Sequence, residues 1–231
     1  PVHEGDHQVG AGGLGSAAAI YLAAAGAGTL GIVDPEKVAL ENLQRQILHT
    51  QKSLGRLKVA SARQAIRRLN PQVKVKTLAT RLTRHNILEI INDYDIICDC
   101  TDNFLSRYLL NDACVMTKKP LVHASILGFE GQAITIIPGK SACYRCLYSE
   151  ANPAEATSCA AAGVMATVAG IMGILQANEV LKLILKIGKP LTDRLLWFNG
   201  LDSAMKLVEV RRRKDCPVCS KSAARKNLEE E

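Results

Sequence analysis

Two Cys-x-x-Cys pairs, Cys143/Cys146 in SACYRCLYSE and Cys216/Cys219 in KDCPVCSKSA, constrain this chain more than any other feature. Two thiolates separated by two residues grip one ion from a tight turn, and four complete the tetrahedral shell that zinc prefers in closed, non-catalytic sites. One such pair alone reads equally as a redox couple; two pairs, each ending a strand-like segment, favour zinc. The ion would staple the C-terminal strands to the middle of the chain. Its loss is expected to loosen that side before it alters chemistry elsewhere. The remaining cysteines do not call for a disulfide framework, because 231 residues with 48% hydrophobic content can bury a core. No secretory signal opens the sequence, so a reducing, cytoplasmic setting is expected. Cys98, Cys100 and Cys114 lie in apolar contexts and are expected in the core.

The first two-thirds alternates short apolar runs with helical patterns. TLGIVD (29–34), VKVKT (73–77), YDIICDC (94–100) and PLVHAS (120–125) read as strands, and SAAAIYLAAAG and GRLKVASARQAIRRLN as helices between them. That order predicts an α/β, Rossmann-like, mostly parallel sheet with helices on both faces. Beyond residue 129, GQAITIIPG, RLLWFNG and AMKLVEVRR predict an antiparallel C-terminal extension around a long helix over 160–187. No repeat or low-complexity linker divides the chain, so residues 1–231 are expected to form one domain, with a nucleotide-binding part over 1–126 and a second part over 127–231.

Gly10, Gly12, Gly13 and Gly15 lie in GAGGLG, followed by a helical stretch and by Asp34 at the end of IVD. Glycines let the backbone turn sharply and approach phosphates, whose charge meets the free amides of the following helix. An acidic residue at the end of the second strand accepts hydrogen bonds from ribose hydroxyls. A purely structural turn is the alternative. A nicotinamide dehydrogenase would share this pattern, but ENLQRQILH places Asn42, Arg45, Gln46 and His49 together, and Lys58 follows. Such a set of donors suits a triphosphate and its leaving pyrophosphate better than a hydride acceptor. A solvated helix face is the bland reading of each residue alone. Asp102, after IICDC, falls where ligands of such sheets gather, and is a magnesium ligand or the N-cap of a helix over 103–117. Asp99 is its rival, and Arg107 on that helix reaches inward or makes a structural ion pair.

GAGGLGS, IVDPEKVALENLQRQILH, GRLKVASA, LNP, DCTDNFLSRYLLND, GFEGQ, CYRC and CPVC occur in the order of the MoeB/ThiF/HesA adenylyltransferases, relatives of the ubiquitin-activating enzymes, and the chain resembles that family over nearly its whole length. The resemblance implies a homodimer that binds ATP and Mg²⁺, holds a Cys₄ zinc, and adenylates the C-terminal Gly-Gly carboxylate of a ubiquitin-like sulfur-carrier protein. By the same resemblance Gly12 and its neighbours line the phosphate loop, Asp34 holds the ribose, Asn42, Arg45 and Lys58 bind the phosphate chain, and Asp102 binds magnesium. Residues 127–231 would then serve carrier binding and dimerisation. Sulfur from a persulfide donor would convert the acyl-adenylate to a thiocarboxylate. Cys159, in TSCAAAGV, matches the sulfur-relay position of some members; placed just before the small-residue helix, it is otherwise a capping or packing residue.

The sequence also departs from that family. PVHEGDHQVG is not the strongly apolar first strand expected, the sequence shows no N-terminal arginine that would reach a partner's ATP site, and it shows no rhodanese-like domain, so an external persulfide donor is implied. The branch, whether molybdopterin, thiazole or tRNA thiolation, is not separated by GFEGQ or by the residues near Cys159. A non-catalytic nucleotide-binding scaffold for a ubiquitin-like protein is the alternative from another class. Nucleic-acid binding is not expected: the net charge is +7, with a basic run VEVRRRK, yet only 4% of residues are aromatic and no recognition motif appears. The segment 160–177 comes nearest to a membrane span, but it is mostly Ala and Gly and reads as a buried helix.

Overall fold

The computed structural model describes residues 6–149 and 163–220, with residues 6–9 as backbone only. Eight strands form one sheet. In chain order the elements are β1 (Asp6–Val9), α1 (Gly13–Ala24), β2 (Thr29–Val33), α2 (Lys58–Leu69), β3 (Lys74–Leu78), α3 (Ile87–Asn92), β4 (Ile96–Asp99), α4 (Phe104–Thr117), β5 (Leu121–Leu127), β6 (Glu130–Ile136), α5 (Tyr144–Leu147), α6 (Ala166–Leu185), β7 (Arg194–Asn199) and β8 (Ala204–Glu209). The strand order is β3-β2-β1-β4-β5-β6-β7-β8. The first five strands run parallel, and β6, β7 and β8 continue the sheet antiparallel.

Burial follows position in the sheet. Every residue of β2 and β4 is buried, as parallel strands covered on both faces require, whereas edge strand β3 alternates and β8 is almost wholly exposed. One core joins α1, α2 and α6 to the sheet through residues such as Leu22, Ile66 and Val180. A second, built from α3, α4 and the cysteine knuckle, includes Ile91, Leu110 and Cys216. Helix α2 shows why the sequence folds this way: Val59, Ala62 and Ile66 point inward at helical spacing while Arg63, Arg67 and Arg68 face water.

The polar first segment does form a strand. Asp6–Val9 pairs in register with β2 on one side and β4 on the other, so ladder hydrogen bonds along both edges supply what the side-chain pattern does not advertise. The long helix begins at Ala166, not at residue 160: Gly163 has φ +70, Val164 bridges to Gly128, and Met165 is the N-cap. Cys159 therefore does not immediately precede that helix, and it lies outside the described residues. Among the described residues α6 alone is long and apolar enough to cross a membrane. It is packed within the fold. Its Val168, Ala169 and Met172 are buried, and a Cβ on Gly173 would overlap the Leu14 carbonyl oxygen and lie 2.9 Å from Ala17 Cβ.

The basic run serves local structure. Arg211 pairs with Glu209 and Arg213 with Asp215 at the surface, while Arg212 donates to the carbonyls of Gly139 and Cys219. Cys98, Cys100 and Cys114 are buried, as expected from their apolar contexts.

Candidate active site

The chain leaves β1 toward α1 on one face and β4 toward α4 on the other, so the carboxyl ends of adjacent β1 and β4 flank a crevice. Open α/β sheets bind ligands at such switch points. A cleft of about 940 Å³ occupies this position, within the range of small-molecule sites. Gly10, Gly12, Gly13, Asp34, Asn42, Arg45, Gln46, Lys58 and Asp102 all line it. Gly15 is buried within α1, outside the lining set.

The glycine turn is held from behind. Gly10 takes φ +91 and donates its N–H to the Val33 carbonyl at 2.8 Å; a Cβ there would come within 3.0 Å of the Cys100 carbonyl oxygen, so only glycine fits without strain. Ala11 N–H donates to Asp34 Oδ2 and Glu36 N–H to Asp34 Oδ1, both at 2.8 Å. The two bonds leave the carboxylate spare lone pairs toward the cleft. His49 lies 3.0 Å from the Ala11 carbonyl through Nε2 and 2.9 Å from Ser61 Oγ through Nδ1. A carbonyl only accepts, so Nε2 carries the proton and Nδ1 accepts from the hydroxyl. Burial, with Lys58 nearby, keeps this ring below the ordinary histidine value against the opposing pull of the Ala11 bond and Asp34. His49 thus braces the loop rather than facing the cleft with Asn42, Arg45 and Gln46.

Arg45 and Gln46 lie against the glycines that open α1, whose free amides favour an anion, and Lys58 lines the same cleft. Arg45 Nη2 donates to Asn42 Oδ1 at 3.0 Å, and its stem lies against Gly13, where a Cβ would meet Arg45 Cγ at 3.3 Å. Lys58 is buried and its Nζ reaches Glu36 Oε2 at 2.6 Å. Gln46 is 4% exposed and its Oε1 has no protein partner. A glycine-lined turn and two cations are what a nucleotide triphosphate would complete, whereas Gln46 Oε1, an acceptor, calls for a hydroxyl, amino or water donor.

At the end of β4 the two aspartates separate. Asp99 is fully buried and bonded to His123 and Thr101, which removes it as a cleft ligand. Asp102 is exposed in the cleft, and its Oδ1 accepts a long 3.4 Å hydrogen bond from Asn103 Nδ2. The N-cap of α4 is Asn103, whose side chain accepts from Ser106 N–H at 2.9 Å. Asp102 is therefore not spent on capping. An exposed carboxylate beside a phosphate pocket suits magnesium, which takes one or two carboxylates and shares the rest of its shell with phosphate oxygens. Arg107 is buried, lines the cleft and donates to the Thr101 carbonyl at 3.3 Å, with its Nε unpartnered.

The four predicted thiols meet. Sulfur–sulfur distances are 3.9 Å for Cys143–Cys146, 3.6 Å for Cys143–Cys216 and 3.4 Å for Cys146–Cys219, and all four ligand atoms lie within 4.8 Å of one another. Tetrahedral thiolates about 2.3 Å from zinc stand about 3.8 Å apart, so the set fits that ion. The knuckle is fixed from α4: Arg145 makes a bidentate pair with Asp112, and Tyr144 N–H donates to Asn111 Oδ1 at 2.8 Å.

Sequence reasoning passed over Glu36, Thr80, Arg81 and Leu82, all of which line the cleft. The available signal was their place at the carboxyl ends of β2 and β3, the logic that selected Asp34 and Asp102. His123 gave no signal, because its partner Asp99 is 24 residues away.

Comparison with known proteins agrees with this geometry. A chain from Culex quinquefasciatus, "Adenylyltransferase and sulfurtransferase MOCS3", is 48% identical over 92% of this chain, which spans 49%, about half, of that relative's length. The "Sulfur carrier protein adenylyltransferase" of Thermus thermophilus is 42% identical over 95% of this chain and 83% of its own. Among solved structures, E. coli MccB with ATP superposes with a TM-score of 0.84 at 21% identity over 94% of this chain and 67% of that one, a likeness of fold. The ThiF family model matches residues 8–218, and with the Cys₄ knuckle and the switch-point cleft in place, the chain belongs to the ThiF family.

Proposed function

We propose that this protein adenylates the C-terminal glycine carboxylate of a ubiquitin-like sulfur-carrier protein, using ATP and Mg²⁺. The observation that carries the reading is that Arg45, Lys58 and Asp102 line one cleft together with the glycine turn that opens α1. The relatives named above supply the carrier class. In this reading Gly10, Gly12, Gly13 and Gly15 form or support the phosphate turn and Asp34 takes the ribose hydroxyls. Asn42, Arg45, Gln46 and Lys58 take the phosphate chain, and Asp102 holds magnesium against it.

The carrier carboxylate oxygen attacks the α-phosphorus as the bond to pyrophosphate breaks, giving acyl-adenylate and pyrophosphate. No general base is needed, because a C-terminal carboxyl of pKa about 3.5 is ionised at neutral pH. The difficulty is alignment of two anions that repel each other. Arg45 offers a guanidinium fork to nonbridging oxygens and Lys58 a buried point charge, so both act on charge gathered during transfer. Magnesium, when bound, supplies further positive charge at the phosphate chain.

Residues 1–231 would act as one adenylation domain, with 1–126 binding nucleotide and 127–231 serving carrier and dimer contacts. The continuous sheet supports that unity. Zinc in the Cys143/Cys146/Cys216/Cys219 knuckle would be structural, and buried free thiols fit a reducing cytoplasm. Thiocarboxylate formation would follow with sulfur from a persulfide donor, Cys159 being the relay residue to test. Incubation with ATP, magnesium and a Gly-Gly carrier should yield an adenylated carrier by intact-mass measurement, and Lys58→Ala should form it about 10²–10³-fold more slowly. Nucleotide and carrier binding without an adduct would instead favour a non-catalytic scaffold.

A further inference from the structure

Behind the Asp102 turn lies a buried pair that the proposed chemistry does not use. Asp99, the last residue of β4, sits opposite His123 of β5 in the parallel register, and the two are 0% and 1% exposed. His123 Nδ1 is 2.7 Å from Asp99 Oδ2. Burial raises the Asp99 carboxyl, but the His123 bond and charge, Arg107 and Thr101 outweigh it and leave the group below its ordinary value. Burial holds His123 below its own, against the pull of Asp99. The neutral ring therefore donates from Nδ1 to an ionised carboxylate, the arrangement that a buried anion needs.

The other carboxylate oxygen faces the turn. Asp99 Oδ1 accepts from Thr101 N–H at 2.9 Å and from Thr101 Oγ1 at 2.7 Å, a turn closed by an aspartate onto the residue two ahead. Arg107 fixes the Thr101 carbonyl at 3.3 Å, and Gln176 Nε2 donates to the Asp99 carbonyl at 2.6 Å. Thr101 is thus held at its N–H, its hydroxyl and its carbonyl. Asp102 is the next residue, and its exposed carboxylate has little of its own to orient it. On the far side the Tyr144 ring stands edge-on to His123, with centroids 4.7 Å apart, and Tyr144 follows the knuckle residue Cys143.

We propose that Asp99 and His123 are a positioning pair for the Asp102 carboxylate, fixing the turn from which it reaches the phosphate end of the cleft. The inference rests on the reading of Asp102 as a magnesium ligand beside bound nucleotide. The pair acts on Asp102 through the Thr101 turn; partners bonded directly to a metal ligand change metal affinity by about 10- to 100-fold when removed, so an effect at the lower end of that range is expected here.

The test is calorimetric titration of the whole protein with the α,β-methylene analogue of ATP, with and without magnesium. His123→Phe fills the ring's space and removes the donor. The affinity gain given by magnesium should shrink by about tenfold, while magnesium-free affinity stays at the wild-type value. His123→Asn, whose amide still donates to Asp99, should recover most of the gain. Thr101→Val should show the same selective loss and serves if His123→Phe does not fold. An undiminished magnesium gain in folded His123→Phe, or an equal fall with and without magnesium, would overturn the proposal. A wild-type protein without any magnesium gain would overturn both this inference and the role of Asp102, which separates the two failures.

Discussion

Lys58 Nζ meets Glu36 Oε2 at 2.6 Å, with the lysine side chain 3% exposed and the carboxylate 61% exposed. A buried ammonium needs a counter-charge, and Glu36 supplies one where a phosphate would otherwise do so. The pair explains how a lysine is accommodated buried in the first turn of α2. Lys58→Ala should lower carrier-dependent pyrophosphate exchange by about 10²–10³-fold, the usual effect of removing a charge-stabilising donor. Glu36→Gln should lower unfolding free energy by more than about 1 kcal/mol, because it leaves the buried Lys58 ammonium without its counter-charge. Exchange kinetics and denaturant titration check the two outcomes, and a catalytically intact Lys58→Ala would refute the assignment.

Asp102 and Asn103 are neighbours with opposite expected phenotypes. Asn103→Ala removes the α4 cap and should lower stability by about 1 kcal/mol. Asp102→Ala removes an exposed carboxylate that caps nothing and should leave the denaturation midpoint unchanged while abolishing magnesium-dependent exchange. The reverse assignment of activity and stability losses would contradict the geometry.

Gly173 lets α6 approach α1 directly beneath the glycine turn. Gly173→Ala would press a methyl group into the Leu14 carbonyl and Ala17. Overpacking of this sort costs about 1–3 kcal/mol, so the thermal midpoint should fall measurably. Nucleotide affinity should fall with it, since Leu14 lies in the first turn of α1 and lines the cleft. An unaltered melt would mean that the helices are not in contact there.

His49 and His123 share a pH signature. Burial keeps both below the ordinary value of 6.5 in the folded protein, so below that pH the unfolded chain takes up protons that the folded chain refuses. Stability is expected to fall as pH drops from 6.5 toward the folded values, by up to about 1.4 kcal/mol per pH unit for each histidine. Asp99 adds stability that is present above the ordinary 3.8 and is lost as pH falls through its lowered folded value. Denaturant midpoints across the weakly acidic range should drop, and His123→Asn should flatten the slope by one histidine's share. Equal slopes for wild type and variant would contradict a neutral buried His123.

Metal analysis should find one zinc per chain, and Cys216→Ala should lose it together with thermal stability, since binding energy at such a site is folding energy. The loss should also weaken the magnesium-dependent gain in nucleotide affinity if Tyr144 braces His123 as its position implies. A Cys216→Ala protein with full zinc content and an unchanged melt would overturn the staple.

The parts of this molecule legible in sequence were those carried by local pattern. The GAGGLG turn with Asp34, the apolar runs of β2, β4 and β5, and the two Cys-x-x-Cys pairs are short motifs with fixed geometry. Strand β1 was hidden because its place comes from two neighbouring ladders rather than from its own residues. The start of α6 was misplaced because the small residues before Ala166 have no periodicity to distinguish helix from loop, whereas the Val164–Gly128 bridge that precedes it is non-local. His49 behind Ala11, Glu36 on Lys58 and His123 on Asp99 are likewise tertiary pairings. Only the folded sheet brings them together.

The central claim is tested most directly by ATP–pyrophosphate exchange in the presence of magnesium against a panel of purified Gly-Gly carriers, comparing wild type with Asp102→Ala. Exchange stimulated by a carrier and lost in the variant is the predicted result. Bound nucleotide without exchange for every carrier, or exchange that survives Asp102→Ala, would contradict it.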